Sequence, residues 1–184
     1  MDLEQLIPWV RRGDELAWEA FVRRFQGRVF GLAYHYTGHV EDARDLAQEV
    51  FVRVYQNLAS IPDGPGCLGW ILRITRNACI DHLRRAKARP PLGDLAAETL
   101  FDLRSPEPDP ETAHLEASRN AAVHRALGEL TDLNREIILL KDIQGLSLDE
   151  IAAILEVPVG TVKSRSHRAR LELAEKLVAV GMGG

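Results

Sequence analysis

LSLDEIAAILEVPVGTVKSRSHRARLELAEKL, residues 146–177, holds two helical patterns separated by a short break, and its reading decides the fold. Ser147 with Glu150 three places on forms a capping box, each side chain able to satisfy an orphan backbone N–H at a helix start. Leu148, Ile151, Ala152 and Leu155 recur at helical spacing until Val157-Pro158-Val159-Gly160 interrupts them. A second helix is predicted from about Thr161. It carries Val162, Ala169, Leu173 and Leu177 on one face, with Lys163, Ser164, His167, Arg168 and Arg170 on the others. Cap, turn and amphipathic second helix together read as a helix-turn-helix.

Charge sharpens that reading. The chain has a formal net charge of −4, yet Lys163, Arg165, Arg168 and Arg170 occur between Gly160 and Arg170 without an acid. A duplex attracts Lys and Arg through its phosphates, and the N-terminal part of a recognition helix can enter the major groove and bond base edges. The competing reading is a solvated amphipathic helix, which explains the periodicity but not the one-signed face.

At 184 residues, with 46% hydrophobic and 27% charged, the composition fits a soluble globular protein of one domain or two small ones. No apolar run approaches the roughly 18 to 20 residues of a membrane span. The start, MDLEQL, lacks the basic residues and apolar run of a secretory signal, so a cytoplasmic protein is expected. Cys67 and Cys79 are the two cysteines, and only His82 stands near them at a metal-ligand spacing. They read as packing thiols in a reducing compartment, with a disulfide left open. No metal and no cofactor are expected. Nor does any Cys/His, paired-carboxylate or phosphate-loop constellation mark an enzyme.

Upstream, Leu3, Leu6, Ile7 and Val10 form a first short stripe, ended by Gly13-Asp14. From Asp14 to Tyr36 the apolar residues Ala17, Phe21, Phe25, Val29, Leu32 and Ala33 keep a period near 3.6. Thr37-Gly38-His39 breaks the pattern, and 40–59 resumes it with Ala43, Leu46, Ala47, Val50, Val54 and Leu58 inside. The opposite side of that helix carries Asp42, Asp45, Gln48, Glu49, Arg53 and Gln56, its acids favourably placed against the positive end of the helix dipole. Charge pattern alone makes this a solvated face.

Residues 61–66, IPDGPG, must be a loop. A fourth helix follows from near Leu68, with Trp70, Ile71, Ile74, Ala78 and Leu83 expected inside. Between Trp70 and Arg89 six basic residues face one acid, Asp81. Such a helix can be an ordinary surface, a membrane-surface helix or a nucleic-acid footprint; with no broad apolar face left for lipid, nucleic acid is favoured. Pro90 to Pro110 then holds five of the nine prolines, and seven acids oppose two bases from Pro91 to Arg119. That composition is a flexible linker. The division expected is 1–89, a linker over 90–113, and 114–184. In the last part, a helix through Leu127 and Leu130 and another from Thr131 through Lys141 precede the helix-turn-helix.

The segments DARDLAQEVFVRVYQNL (42–58), WILRITRNACIDHLRR (70–85) and LSLDEIAAILEVPVGTVKSRSHRARLEL (146–173) strongly resemble, in order and spacing, bacterial sigma factors of the extracytoplasmic function (ECF) group. The resemblance implies an all-α protein of two small helical domains, like sigma regions 2 and 4, that binds core RNA polymerase and directs it to promoter DNA. It places Asp42, Asp45, Leu46, Gln48 and Glu49 against the polymerase clamp helices. The 61–69 loop and 70–85 helix become the reader of the minus-ten element, with Arg73, Arg76, Asn77, Arg84 and Arg85 as the track for the opened strand. The minus-thirty-five element falls to Thr161, Lys163, Ser164, His167, Arg168 and Arg170. An anti-sigma factor is implied as a further partner.

Three departures from the family pattern stand out. Ser166 lies where Ile or Leu is usual, which predicts looser packing of that helix. The loop PDGPGCLG (62–69) lacks the aromatic and basic residues often found before the Trp. His167 replaces a common aromatic or aliphatic contact, which would make promoter affinity depend on pH through its imidazole. The alternative is a polymerase-independent helix-turn-helix regulator, which would need a dimer and a palindromic site. A helical adaptor acting only through protein contacts is a third reading, disfavoured by two basic helices.

Overall fold

The computed structural model describes residues 2–88, 119 and 121–179, and among them it contains helices and turns but no strand. The chain divides into two compact units, 1–98 and 99–184. The linker expected over 90–113 lies outside the described residues.

In the first unit α1 (Leu3–Arg11) is capped by Asp2, whose carboxylate accepts from the Leu3 N–H. α2 (Glu15–Thr37) is capped by Asp14, which accepts from the Ala17 N–H at 2.8 Å. It ends where the Thr37-Gly38-His39 break predicts: Gly38 takes φ 71°, a left-handed conformation open to a residue without a Cβ, and its N–H donates to the Tyr34 carbonyl at 2.8 Å. α3 (Val40–Gln56), a short 3₁₀ turn (Leu58–Ser60) and α4 (Gly66–Lys87) complete the unit.

α2 is the central element, packed against α1, α3 and α4, while α3 and α4 also touch each other. Its Phe21, Phe25, Val29 and Leu32 are each no more than 4% exposed. Against them lie Ile7 and Val10 of α1, Ala43, Val50 and Val54 of α3, and Ile71, Leu72 and Cys79 of α4, all fully buried. Aromatic contacts reinforce the centre, with Phe21 4.8 Å from Phe25 and stacked 5.7 Å from Trp18. Trp70, Ile74 and Leu83, expected inside, are only half-buried. Ile71 and Ala78 are buried as expected, joined by Cys67, Leu72, Cys79 and Thr75, whose hydroxyl is satisfied inside by donating to the Ile71 carbonyl at 2.8 Å.

The described part of the second unit begins with a helical stretch over 121–128, α5. It is followed by α6 (Asp132–Ile138), which passes directly into a π-helical turn (Leu139–Ile143). Arg135 closes the end of α5, donating to the carbonyls of Leu127, Gly128 and Leu130 at 2.8 to 3.1 Å. α7 (Leu148–Leu155) and α8 (Val159–Ala179) form the helix-turn-helix. The capping box is present: the Ser147 N–H donates to Glu150 Oε2 at 2.8 Å, and the Glu150 N–H to Ser147 Oγ at 3.3 Å.

The break between these helices is shorter and earlier than the sequence suggests. Glu156 ends α7 at φ 56°, and α8 already begins at Val159. Pro158 does not prolong the break, because its carbonyl accepts the first helical bonds from Thr161 and Val162 while its missing N–H is not needed there. α6 and α7 both pack on α8, burying Ile137, Ile151, Val162 and Ala169 completely.

Candidate functional site

On α3 the buried stripe Ala43, Leu46, Val50 and Val54 turns the residues between them outward. Asp45 and Gln48 are exposed, and Asp42 and Glu49 partly so. Leu46, expected among them, is 2% exposed: it sits at i+3 from Ala43 and i−4 from Val50, so its side chain packs inward and offers no surface. Glu49 is held by Arg53 one turn on, and Arg44 pairs with Glu41 at 3.1 Å. Asp42 lies 3.7 Å from His82 of α4. Val52 and Tyr55 continue the outward face at 54% and 52% exposure, an apolar extension that a reading for acids overlooks.

Arg73, Asn77 and Arg84 of α4 recur at i, i+4 and i+11, on one outward side, and all three are exposed. Arg76 is half-buried beside them, Arg85 is exposed on an adjoining side, and Arg84 approaches Asp81 at 3.8 Å. The preceding loop is tied to α1. Arg11 donates from Nε and Nη2 to the Ile61 carbonyl, the former at 3.0 Å, and its Nη1 is 3.0 Å from Asp63 Oδ1. No sequence pattern joins residues 50 apart.

Cys67 and Cys79 are free and fully buried. Burial pushes the Cys67 thiol up to about 11, against the opposing pull of Arg11 and Arg24, and Cys79 up to about 12, with Glu49 adding to the effect. Such thiols stay protonated and inert. Among the described residues no group of three or more His, Cys, Asp or Glu could hold a metal.

In the second unit Lys163, Ser164, Arg165, His167, Arg168 and Arg170 are all exposed on α8, and Thr161 is half-buried. Ser164 turns its hydroxyl to the Thr161 carbonyl at 3.2 Å. Arg170 differs from its neighbours in being gripped by both carboxylate oxygens of Asp142, which raise its pKa through hydrogen bonding and charge. Ser166 is not a loose spot: it is 2% exposed, and its Oγ accepts from Lys141 Nζ at 2.8 Å. Lys141 and Asp142 are consecutive residues of the π turn, and both reach α8. A π turn widens the helix locally and is frequent at functional sites.

The Sigma-70 region 2 family model matches residues 21–89 and the Sigma-70 region 4 model residues 120–173. The chain is 34% identical to the RNA polymerase sigma-H factor of Pseudomonas aeruginosa, over 91% of this chain and 89% of that one. It is also 34% identical to the ECF RNA polymerase sigma factor SigW of Bacillus subtilis, over 96% and 97%. Among solved structures, that of CnrH in complex with the cytosolic domain of CnrY superposes with a TM-score of 0.70 at 26% identity, over 96% of this chain and 97% of that one. The fold is shared too by the RpoE of Bartonella quintana crystallised with the anti-sigma factor NepR, at a TM-score of 0.67 and 23% identity, over 86% and 95%. The chain therefore belongs to the ECF family of RNA polymerase sigma factors, and is a transcription initiation factor.

Proposed function

We propose that the first unit binds core RNA polymerase through the outward face of α3, with Asp42, Asp45, Gln48 and Glu49, and captures the opening minus-ten strand on α4. The second unit reads the minus-thirty-five duplex through α8. The observation that carries this division is the sorting of charge: an acidic outward face on α3 and basic outward faces on α4 and α8, each held by a buried stripe on its other side. An acidic face suits a basic protein surface and is repelled by phosphate, while basic faces suit DNA.

Arg73, Arg76, Asn77, Arg84 and Arg85 give α4 the charge to follow a single strand, with the 61–65 loop before its start to receive a displaced base. Lys163, Ser164, His167 and Arg168 are the groups of α8 that reach bases or phosphates, whereas Arg170 acts chiefly through Asp142. The chain performs no bond chemistry; strand opening draws on binding energy for the exposed bases, in the cytoplasm where polymerase works. An anti-sigma factor is a further partner, one that would hold the protein inactive by covering these surfaces; the Bartonella relative is named in complex with an anti-sigma factor.

The test is charge reversal. Asp45→Lys with Glu49→Lys should weaken binding to core polymerase while leaving duplex binding by α8 unchanged. Equal core affinity in the double variant would remove α3 as the contact.

A further inference from the structure

We propose that α1 belongs to the promoter-strand reader, with Arg11 a positioning residue that fixes the 61–65 loop in the shape that receives the displaced base. The inference rests on the reading of that loop given under the proposed function. α1 lies outside the span 21–89 matched by the region 2 family model. Its Glu4, Ile7 and Arg11 share one side at i, i+3 and i+7. Ile7 is fully buried and anchors the helix. Glu4 and Arg11, two turns apart, meet the loop.

The Ile61 side chain, 1% exposed, anchors the start of the loop, and beyond it polar restraints are sparse. The Ile61 N–H donates to the Leu58 carbonyl at 3.2 Å, and the Gly64 carbonyl accepts from the Cys67 N–H at 3.3 Å. Pro62 and Pro65 contribute no N–H. Arg11 adds such a restraint, with two donors on the Ile61 carbonyl and an ion pair to Asp63. Its side chain is 31% exposed, so the fork is partly shielded from water, while Asp63 stands 76% exposed at the loop surface. At the other end, Gly64 adopts φ +59°, and a Cβ there would lie 3.8 Å from Glu4 Oε1. The loop therefore rests along α1 from Glu4 to Arg11.

A planar guanidinium is suited to this task, because its rigid fork fixes both a carbonyl and a carboxylate at once. Releasing it frees one or two loop residues whose ordering must then be met at the moment of strand capture. The expected loss is on the order of 10-fold in capture of the base.

The experiment uses the full-length protein with core polymerase and a promoter selected from random duplexes by the wild-type holoenzyme. Affinity is measured for a bubble version of that promoter and for a series carrying one abasic site at each minus-ten position of the non-template strand. The wild type should show a position at which base removal costs affinity. Arg11→Ala should erase that cost while leaving core binding and thermal unfolding of the first unit close to wild type; Arg11→Lys, which retains charge without the fork, should fall between. A general loss of folding would lower core binding and every bubble affinity alike, and would not flatten the series. Should Arg11→Ala fail to fold, Arg11→Lys, which keeps the charge but not the two-donor hold on the Ile61 carbonyl, decides the matter by a partial flattening of the series. A variant series as steep as the wild type overturns the role of Arg11 alone; a wild type indifferent to every abasic site overturns both it and the reading of the loop.

Discussion

Replacing Ser166 by alanine removes the oxygen that accepts from Lys141 Nζ at 2.8 Å, at a position 2% exposed. A hydrogen bond to a charged donor contributes about 1.5 to 3 kcal/mol, but Lys141 is itself only half-buried and can turn its ammonium partly to water, so a loss of about 1 kcal/mol is expected. Ser166→Leu restores the residue type usual in the family, yet here it should cost more. Its extra carbons would press between Val162 and Ala169, both fully buried, adding about 1 to 3 kcal/mol of overpacking and stranding the lysine. Pairing Ser166→Leu with Lys141→Met should recover much of that loss, because the two side chains are in direct contact.

The assay is urea unfolding followed in parallel by circular dichroism and tryptophan fluorescence. Trp9, Trp18 and Trp70 all lie in the first unit, so fluorescence is silent to the second. With a slope of about 1 kcal/mol per molar urea for so small a unit, Ser166→Ala should lower the midpoint of the second unit by about 1 M and leave the fluorescence midpoint in place. An unmoved dichroism midpoint, or strictly additive single and double variants, would refute the coupling of the π turn to α8.

Other outcomes follow from the same geometry. Phe21→Ala should destabilise the first unit by about 3 to 5 kcal/mol, read by fluorescence, since Phe21 is fully buried between Trp18 and Phe25. Arg168→Ala should lessen the salt slope of minus-thirty-five binding by about 0.9 if it holds one phosphate, whereas Arg170→Ala should leave the slope unchanged because Asp142 already engages that guanidinium. The thiols give a pH dependence of definite sign. Burial raises Cys67 to about 11 and Cys79 to about 12 from 9.0, so the unfolded chain loses these protons first, and first-unit stability should fall as pH climbs from about 9 through 11 to 12. Below 9 that contribution is fully present, and a thiol reagent at pH 8 should react only after denaturant is added.

What the sequence discloses and what it conceals divide along the range of the interactions. The capping box at Ser147 and Glu150 and the stop at Gly38 are legible because cap and turn chemistry are decided within a few residues. The acidic side of α3 and the basic sides of α4 and α8 are legible from period alone. The start of α8 is misjudged because Pro158 reads as a breaker, when its carbonyl and fixed φ in fact serve a helix start. Leu46 shows a different gap: a resemblance assigns a segment to a surface, but only helical phase tells which of its side chains face out. The brace from Arg11 to Ile61 and the grip of Asp142 on Arg170 depend on chain folding back over 50 and 28 residues, and no local pattern carries that information. LLKDI likewise gives no sign of a π turn, nor that its Lys141 and Asp142 reach Ser166 and Arg170 of α8.

Run-off transcription is the plainest test of whether this chain directs polymerase to promoters. Core RNA polymerase from the same host, supplied with the purified protein and with promoter fragments from the same genome, should give discrete transcripts that core alone does not make. No transcript above core alone, alongside tight binding of the isolated protein to a palindromic duplex, would contradict the account and point to a polymerase-independent regulator.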